Sequence, residues 1–121
     1  MQNTISYIIP TRDRPGDLAM TLSALGKLKH AENTRAEVIV VDNASRQPPT
    51  PPEKLRNGLP VRLILRGANE AAASRNAAAR AATGAWLIML DDDSAPLDTG
   101  FMRVLEDAPM DVAAIGAEIL L

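Results

Sequence analysis

The sequence contains no cysteine, one histidine, and a single tryptophan, tyrosine and phenylalanine. The absence of cysteine excludes disulfides, thiolate catalysis and thiolate metal sites, and it fits a reducing compartment. One histidine excludes the His-rich zinc sites, and so few aromatic rings argue against a base-stacking platform for nucleic acid. The N-terminus has no signal-peptide pattern and no apolar run reaches membrane-spanning length, so we expect a cytoplasmic protein.

Net charge and length narrow the class of protein further. The formal net charge of −2 gives no reason to expect a nucleic-acid partner or an anionic membrane surface. The 121 residues are enough for one domain, residues 1–121, with a real core. They are few for an α/β enzyme that needs separate donor and acceptor sites.

Four short apolar runs predict strands. The runs cover residues 5–9, 37–41, 61–65 and 86–90. Pro10 is expected to end the first strand, because its ring removes a hydrogen-bond donor. A helix between the first two strands implies a right-handed parallel crossover. We therefore predict an α/β fold with a mostly parallel sheet flanked by helices.

Two helices are predicted between the strands. The first begins at Pro15 and carries a leucine stripe at helical spacing. The stripe consists of Leu18, Leu22, Leu25 and Leu28. The second is alanine-rich, covers residues 70–82, is capped by Asn69 and is closed by Gly84.

The remaining segments give simpler expectations. Residues 46–60 hold five of the nine prolines and predict an irregular connection with a short turn around Leu55. Residues 99–106 are predicted as a helix and residues 112–121 as one or two strands. His30 is expected to be exposed near the C-terminus of the first helix, with no catalytic role.

Three consecutive carboxylates, Asp91, Asp92 and Asp93, directly follow the fourth apolar run. Adjacent carboxylates repel one another and raise each other's proton affinity, unless a divalent cation supplies the opposing charge. Taken alone, such a run is more often a solvated turn with an N-cap for the next helix. Its position relative to the other strands decides between the two interpretations.

Polar clusters follow three of the predicted strands. Residues 11–14 follow the first strand, Asp42 and Asn43 the second, and residues 91–93 the fourth. In a parallel sheet these clusters emerge at one edge, which is where open α/β sheets bind ligands. Carboxylates without nitrogen or sulfur ligands favour Mg²⁺ or Mn²⁺, which commonly bridges to substrate phosphates. The sequence thus predicts a metal and diphosphate crevice.

Other phosphate-binding folds fit less well. No Gly-x-Gly-x-x-Gly follows a strand and no P-loop motif exists, so a dinucleotide fold is unsupported and a P-loop is excluded. Sugar nucleotidyltransferases usually place a Gly-rich basic loop after the first strand, where this chain has Pro-Thr-Arg-Asp-Arg-Pro. Haloacid-dehalogenase-like phosphatases place their Asp-x-Asp pair after the first strand, whereas the acidic run here follows the fourth.

Four motifs occur in a familiar order. They are Ile-Ile-Pro-Thr-Arg-Asp-Arg-Pro at 8–15, Glu-Val-Ile-Val-Val-Asp-Asn-Ala-Ser at 37–45, Asn69 with Ser-Arg-Asn at 74–76 and Ala-Ala-Thr-Gly at 81–84, and Leu-Asp-Asp-Asp at 90–93. Over roughly residues 4–116 the sequence resembles the nucleotide-binding half of family 2 glycosyltransferases, which have the GT-A fold.

The resemblance implies a donor such as a UDP-sugar, with Mn²⁺ or Mg²⁺ neutralising the diphosphate leaving group and inversion at the anomeric carbon. By the same resemblance, Thr11, Asp42 and Arg75 would contact the base and the ribose. Asp91 and its neighbour Asp92 would lie beside the donor, with Asp91 approaching the ribose. Asp91 and Asp93 would bind the metal. Independently of the family, a carboxylate can accept from a pyrimidine N–H, and a cation stabilises a departing phosphate.

The sequence also departs from the family pattern. Ala71 stands where many relatives have glycine, and proline-rich sequence follows Ser45 in place of the usual Thr-Asp-Gly. In such enzymes the general base and the acceptor-binding elements belong to a second half that would follow Leu121, so no base is assigned and the acceptor is unknown. The alternative is a non-catalytic nucleotide-binding or assembly module. The apolar end, residues 119–121, is expected to pair with another copy or a partner chain.

Overall fold

The computed structural model describes residues 3–69 and 73–109. The elements in chain order are β1 (Asn3–Thr11), α1 (Pro15–Gly26), β2 (Thr34–Asn43), β3 (Val61–Arg66), α2 (Ser74–Ala81), β4 (Trp86–Met89) and α3 (Phe101–Asp107). The strands form one sheet in the order β3-β2-β1-β4, and every neighbouring pair is parallel. This confirms the predicted α/β fold.

The predicted end of β1 at Pro10 is wrong, and the hydrogen-bond ladder explains why. The ladder to β4 runs as far as the bond from the Leu90 N–H to the Ile8 carbonyl. The next rung of a parallel ladder would need an N–H at residue 10, which proline lacks. On the other side β1 remains paired with β2 as far as Thr11, which lies opposite Asp42.

The sheet is covered on both faces. On one face, residues of β1 and β2 pack against the leucines of α1 and against Met102 of α3. The predicted stripe is confirmed, since all four leucines, Leu18, Leu22, Leu25 and Leu28, are buried. On the other face Ile8, Ile39 and Val41 pack against Ala78 of α2. The small alanine side chains place α2 close to the sheet.

The proline-rich connection between β2 and β3 is irregular, as predicted. It contains one isolated bridge, Lys54 to Pro60, and a turn in which the Gly58 N–H donates to the Leu55 carbonyl. Leu55 is buried in the core, and Asn57 donates through Nδ2 to the carbonyls of Leu25 and Leu28, both at 2.9 Å. The Leu25 carbonyl also accepts from the Leu28 N–H at 3.2 Å, so Asn57 adds a second bond there and one to the Leu28 carbonyl just beyond the helix.

Several other expectations are corrected or fall outside the described residues. His30 is half-buried, and its Nε2 lies 2.7 Å from the Tyr7 hydroxyl, so it is not an exposed residue. The helix predicted at 99–106 spans Phe101–Asp107. The predicted start of the alanine-rich helix at residue 70 and the predicted strands at 112–121 lie outside the described ranges. Within those ranges no helix has the length and apolarity needed to cross a membrane.

Candidate functional site

The segments that follow β1, β2 and β4 meet at one edge of the sheet. Thr11 lies opposite Asp42 in the β1–β2 register, and its hydroxyl donates to Asp92 Oδ2 over 2.9 Å. Thr11 and Asp92 are each only 6% exposed, so this contact is part of the packed structure. The predicted convergence of the three polar clusters is therefore found in the fold.

Asp92 is the anchor of the acidic run. Its carboxylate accepts from Thr11 and lies 3.5 Å from Arg14 Nε, while its backbone carbonyl accepts from the Thr21 hydroxyl at 2.6 Å. A buried carboxylate is tolerated when charge and hydrogen bonds satisfy it in this way. Asp92 thus ties β4 to β1 and α1, and its side chain is engaged by the protein.

Asp91 and Asp93 are exposed on either side of this anchor. Arg75 Nη2 donates to Asp91 Oδ1 at 2.9 Å, and Arg14 Nη2 donates to Asp93 Oδ2 at 3.2 Å. Three adjacent carboxylates need an opposing charge, for which the sequence predicts a divalent cation. In the fold two arginines supply that opposing charge, and burial of Asp92 alone separates the run into one internal and two surface groups.

Arg14 links the run to the start of α1. Besides Asp92 and Asp93 it contacts Asp17, which accepts from Nε and lies 2.9 Å from Nη2. The hydrogen bond to Asp17 and the charge of Asp92 raise the pKa of Arg14, so the guanidinium stays charged. The donors of Arg14 are thus directed to carboxylates.

Asp42 is held by the residues that follow β2. It is 2% exposed, and its carboxylate accepts from the Ser45 hydroxyl through Oδ1 and from the Ser45 N–H, at 3.3 Å, through Oδ2. Ser45 Oγ also accepts from the Asp13 N–H at 2.8 Å, and Asp13 Oδ1 accepts from the Arg46 N–H at 2.8 Å. The loops after β1 and β2 are therefore bonded to each other in both directions.

Two residues of these loops have left-handed backbone conformations. Asp13 has φ of 53° and Ala44 has φ of 60°. Aspartate adopts this region several times more often than most residues, whereas for alanine it carries a cost of about 1–2 kcal/mol. Strain of this kind persists where surrounding contacts over-determine the backbone, and it is common at functional sites.

Arg75 brings α2 to the same edge. Its Nη2 bonds Asp91, whereas its Nε is buried and has no hydrogen-bond partner among the residues that the structure describes. A buried N–H without a partner costs free energy on the order of 1–3 kcal/mol. A ligand oxygen at this position would remove the cost.

Asp91 and Asp93 are the residues of the acidic run that could hold a cation together with substrate oxygens. Within residues 3–69 and 73–109 no three acidic or histidine side chains are grouped to hold a metal. Asp91 and Asp93 are exposed, and in each of them one carboxylate oxygen accepts no bond from the described part of the chain. Mg²⁺ is commonly bound by one or two carboxylates together with substrate phosphates, and these two residues offer that donor set.

No individual role was predicted for Ser45, Asp13 or Thr21. A signal for Ser45 was present, because a serine three residues after an aspartate is typical of side-chain-to-backbone turns. The pattern recurs after β4, where the Asp91 N–H donates to Ser94 Oγ at 3.0 Å. Thr21 had no signal, since its contact with Asp92 depends on how α1 packs.

The fold is an open parallel α/β domain, and its candidate ligand site lies at the carboxyl edge of β1, β2 and β4. The family model described as glycosyl transferase family 2 matches residues 6–116. The chain therefore belongs to glycosyltransferase family 2, as the sequence motifs indicated.

Similar proteins agree with this assignment. An uncharacterised glycosyltransferase of Haemophilus influenzae is 31% identical over 103 residues, which are 84% of this chain and 33% of that protein. The crystal structure of S. aureus TarS 1–349 has a TM-score of 0.67 at 23% identity, covering 88% of this chain and 32% of that one. The same fragment in complex with UDP has a TM-score of 0.66 at 24% identity, with coverage of 87% and 31%. These structures confirm the GT-A-type fold, and the chain spans about a third of the length of its relatives.

Proposed function

We propose that this chain is the donor-binding part of a glycosyltransferase and binds a nucleotide-diphosphate sugar, with a UDP-sugar favoured. The observation that carries the proposal is the meeting of Thr11, Asp42 and the acidic run at one sheet edge in a member of this family. A structural neighbour, TarS, has been crystallised with UDP, which supports the nucleotide class.

The proposed roles follow from the chemistry of each group. Asp42 is a carboxylate whose remaining lone pairs accept the N–H of a uracil base. Thr11 lies beside Asp42 and, through its hydrogen bond to Asp92, fixes the backbone at the base of the proposed site. Arg75 donates to ribose or phosphate oxygens, for which its buried Nε is the available donor.

Asp91 and Asp93 would hold Mn²⁺ or Mg²⁺ together with the donor diphosphate. The cation would neutralise charge that develops on the departing diphosphate. Before the donor binds, Arg75 and Arg14 keep the same carboxylates compensated and in place. Because Asp92 anchors the acidic run, the two proposed metal ligands, Asp91 and Asp93, lie on a loop whose position is fixed.

Transfer would proceed with inversion. An acceptor oxygen attacks the anomeric carbon as the bond to the diphosphate oxygen breaks, and the nucleoside diphosphate leaves with the electron pair. The acceptor proton passes to a general base, which we assign to no residue of this chain. The chain spans about a third of the length of its relatives, so the acceptor site and the general base are proposed for the whole protein and not for this chain.

Isothermal titration calorimetry tests the donor site. UDP with Mn²⁺ is expected to bind, EDTA is expected to abolish binding, and Asp93→Asn is expected to weaken it by about tenfold or more. Asp107→Asn, in α3 and outside the site, is the matched control and should leave binding unchanged. Equal affinity with EDTA would reject the metal, and no binding of UDP under any condition would reject the donor site.

Turnover is tested separately. The full chain is incubated with UDP-sugars, and release of UDP is followed with and without candidate acceptors. Release that depends on Asp42 and Asp93 supports the transferase. Binding of UDP without release from any donor would favour the alternative, a nucleotide-binding module.

A further inference from the structure

Ser45 makes an unusual set of contacts for a loop serine. Its hydroxyl and its N–H both donate to the buried Asp42 carboxylate, one to each oxygen. The same hydroxyl oxygen accepts from the Asp13 N–H at 2.8 Å. Among the residues that the structure describes, Ser45 alone donates hydrogen bonds to the Asp42 side chain.

These contacts fix the direction of the hydroxyl proton. The Asp13 N–H can only donate, so the Ser45 oxygen must accept from it. The single hydroxyl proton is then directed to Asp42 Oδ1, and bonds arranged in such a chain strengthen one another. The outcome is a carboxylate fixed in orientation, with two of its roughly four acceptor positions used by Ser45.

The backbone around Ser45 is also held in a conformation that brings Ser45 to Asp42. Ala44 has the left-handed conformation that turns the chain back after β2, so that Ser45 meets Asp42. The Arg46 N–H, one residue later, donates to Asp13 Oδ1 at 2.8 Å. Both loops of the site therefore contribute to the placement of one carboxylate.

We infer that Ser45 is a positioning residue that sets nucleobase selectivity by orienting Asp42; the inference rests on the proposed function. Uracil presents an N3–H donor, whereas cytosine presents an acceptor at N3. A fixed, buried carboxylate pairs with the first and leaves two acceptors facing each other with the second, which is costly. A carboxylate released from Ser45 can turn toward water or toward the cytosine amino group, so discrimination falls.

The test compares UDP and CDP binding to the full chain by calorimetry. Ser45→Ala is expected to lower UDP affinity by about tenfold, the loss of a charge-assisted hydrogen bond, and to move the UDP-to-CDP ratio toward one. Ser45→Thr keeps the hydroxyl and should keep the ratio. Ser23→Ala, the same substitution on the exposed side of α1, should match the unsubstituted chain.

The ratio of UDP affinity to CDP affinity distinguishes a positioning role of Ser45 from a general loss of structure. If Ser45→Ala lowers UDP and CDP affinity by the same factor, or leaves both unchanged, the inference is overturned while donor binding stands. If the unsubstituted chain binds neither nucleotide, or binds both equally, the proposed contact of Asp42 with the base fails and the inference fails with it. Thermal unfolding of each variant shows whether the fold is retained.

Discussion

Gly84 lies where the chain enters β4, directly against the backbone of β1. A Cβ at this position would lie 2.6 Å from the Ile5 carbonyl carbon and 2.6 Å from the Ser6 nitrogen. The Gly84 N–H also donates to Ser6 Oγ at 2.9 Å. Because backbone atoms cannot move aside as a flexible side chain can, this contact requires glycine.

Gly84→Ala should lower the free energy of unfolding by about 1–3 kcal/mol, the usual cost of overpacking. Urea denaturation measures the change. Gly16→Ala in α1 is the control, since nothing lies within 4 Å of its added methyl group. The control should be neutral or more stable by about 0.5 kcal/mol. Similar losses in both variants would contradict the close-approach argument.

His30 should make stability depend on pH. Burial lowers its pKa below the ordinary value of 6.5, and the Tyr7 hydroxyl bonds its Nε2. The unfolded chain therefore binds the proton more readily, so the contribution is present above pH 6.5 and is lost as pH falls below it. In His30→Gln, which keeps an acceptor for Tyr7, this loss should be absent. Parallel denaturation curves between pH 7.5 and 5 for both chains would contradict the prediction.

Glu37 gives a second pH-dependent contribution. Burial alone would raise its pKa, but hydrogen bonds from Ser6 and Thr83 and the charge of Arg62 outweigh burial and lower it below 4.5. A lowered carboxyl pKa stabilises the fold above pH 4.5, and the stabilisation is lost as pH falls through the folded-state value. Glu37→Gln should be less stable at pH 7, with a gap that narrows below pH 4.5. A gap that stays constant would show that charge is not involved.

At the scale of elements, local patterns predicted most of the fold. The leucine spacing of α1 and the apolar runs of the strands report burial directly, because a side chain's face is set by its position in the element. The edge on which the polar clusters meet follows from parallel topology alone. These features required no knowledge of which side chains touch.

The partners of the acidic run could not be predicted. Arg75 reaches Asp91 from α2 and Arg14 reaches Asp93 from the β1–α1 loop, and each contact depends on the packing of two distant segments. The extent of β1 was missed for the same reason, since Pro10 affects the pairing with one neighbour and not with the other.

The end of α1 depends on a side chain from the proline-rich connection. Asn57→Ala removes the donor to the Leu25 and Leu28 carbonyls and should lower the free energy of unfolding by about 1–3 kcal/mol. Gln47→Ala, an exposed amide in the same connection, should change it by less than about 0.5 kcal/mol. Chemical denaturation separates the two, and equal effects would mean that the connection does not support α1.

At the scale of the whole molecule, the proposed donor binding should be coupled to folding. The proposed site is built from three loops and α2, so a nucleotide that contacts them all stabilises the folded state relative to the unfolded one. UDP with Mn²⁺ at about 100 times its Kd should add about 2.7 kcal/mol and raise Tm by several degrees. Asp42→Asn should reduce this rise. An unchanged Tm at saturating UDP would contradict binding at this edge.

The ring of Pro10 has a consequence for the shape of that edge. Because Pro10 has no N–H, β1 and the edge strand β4 form no further hydrogen bond beyond the one from the Leu90 N–H to the Ile8 carbonyl. The two segments stay separated beyond this point, because no side-chain motion can supply the missing backbone hydrogen bond. The separation of β1 from the chain after β4, at the edge where the proposed donor site lies, thus follows from one hydrogen atom that the backbone of Pro10 lacks.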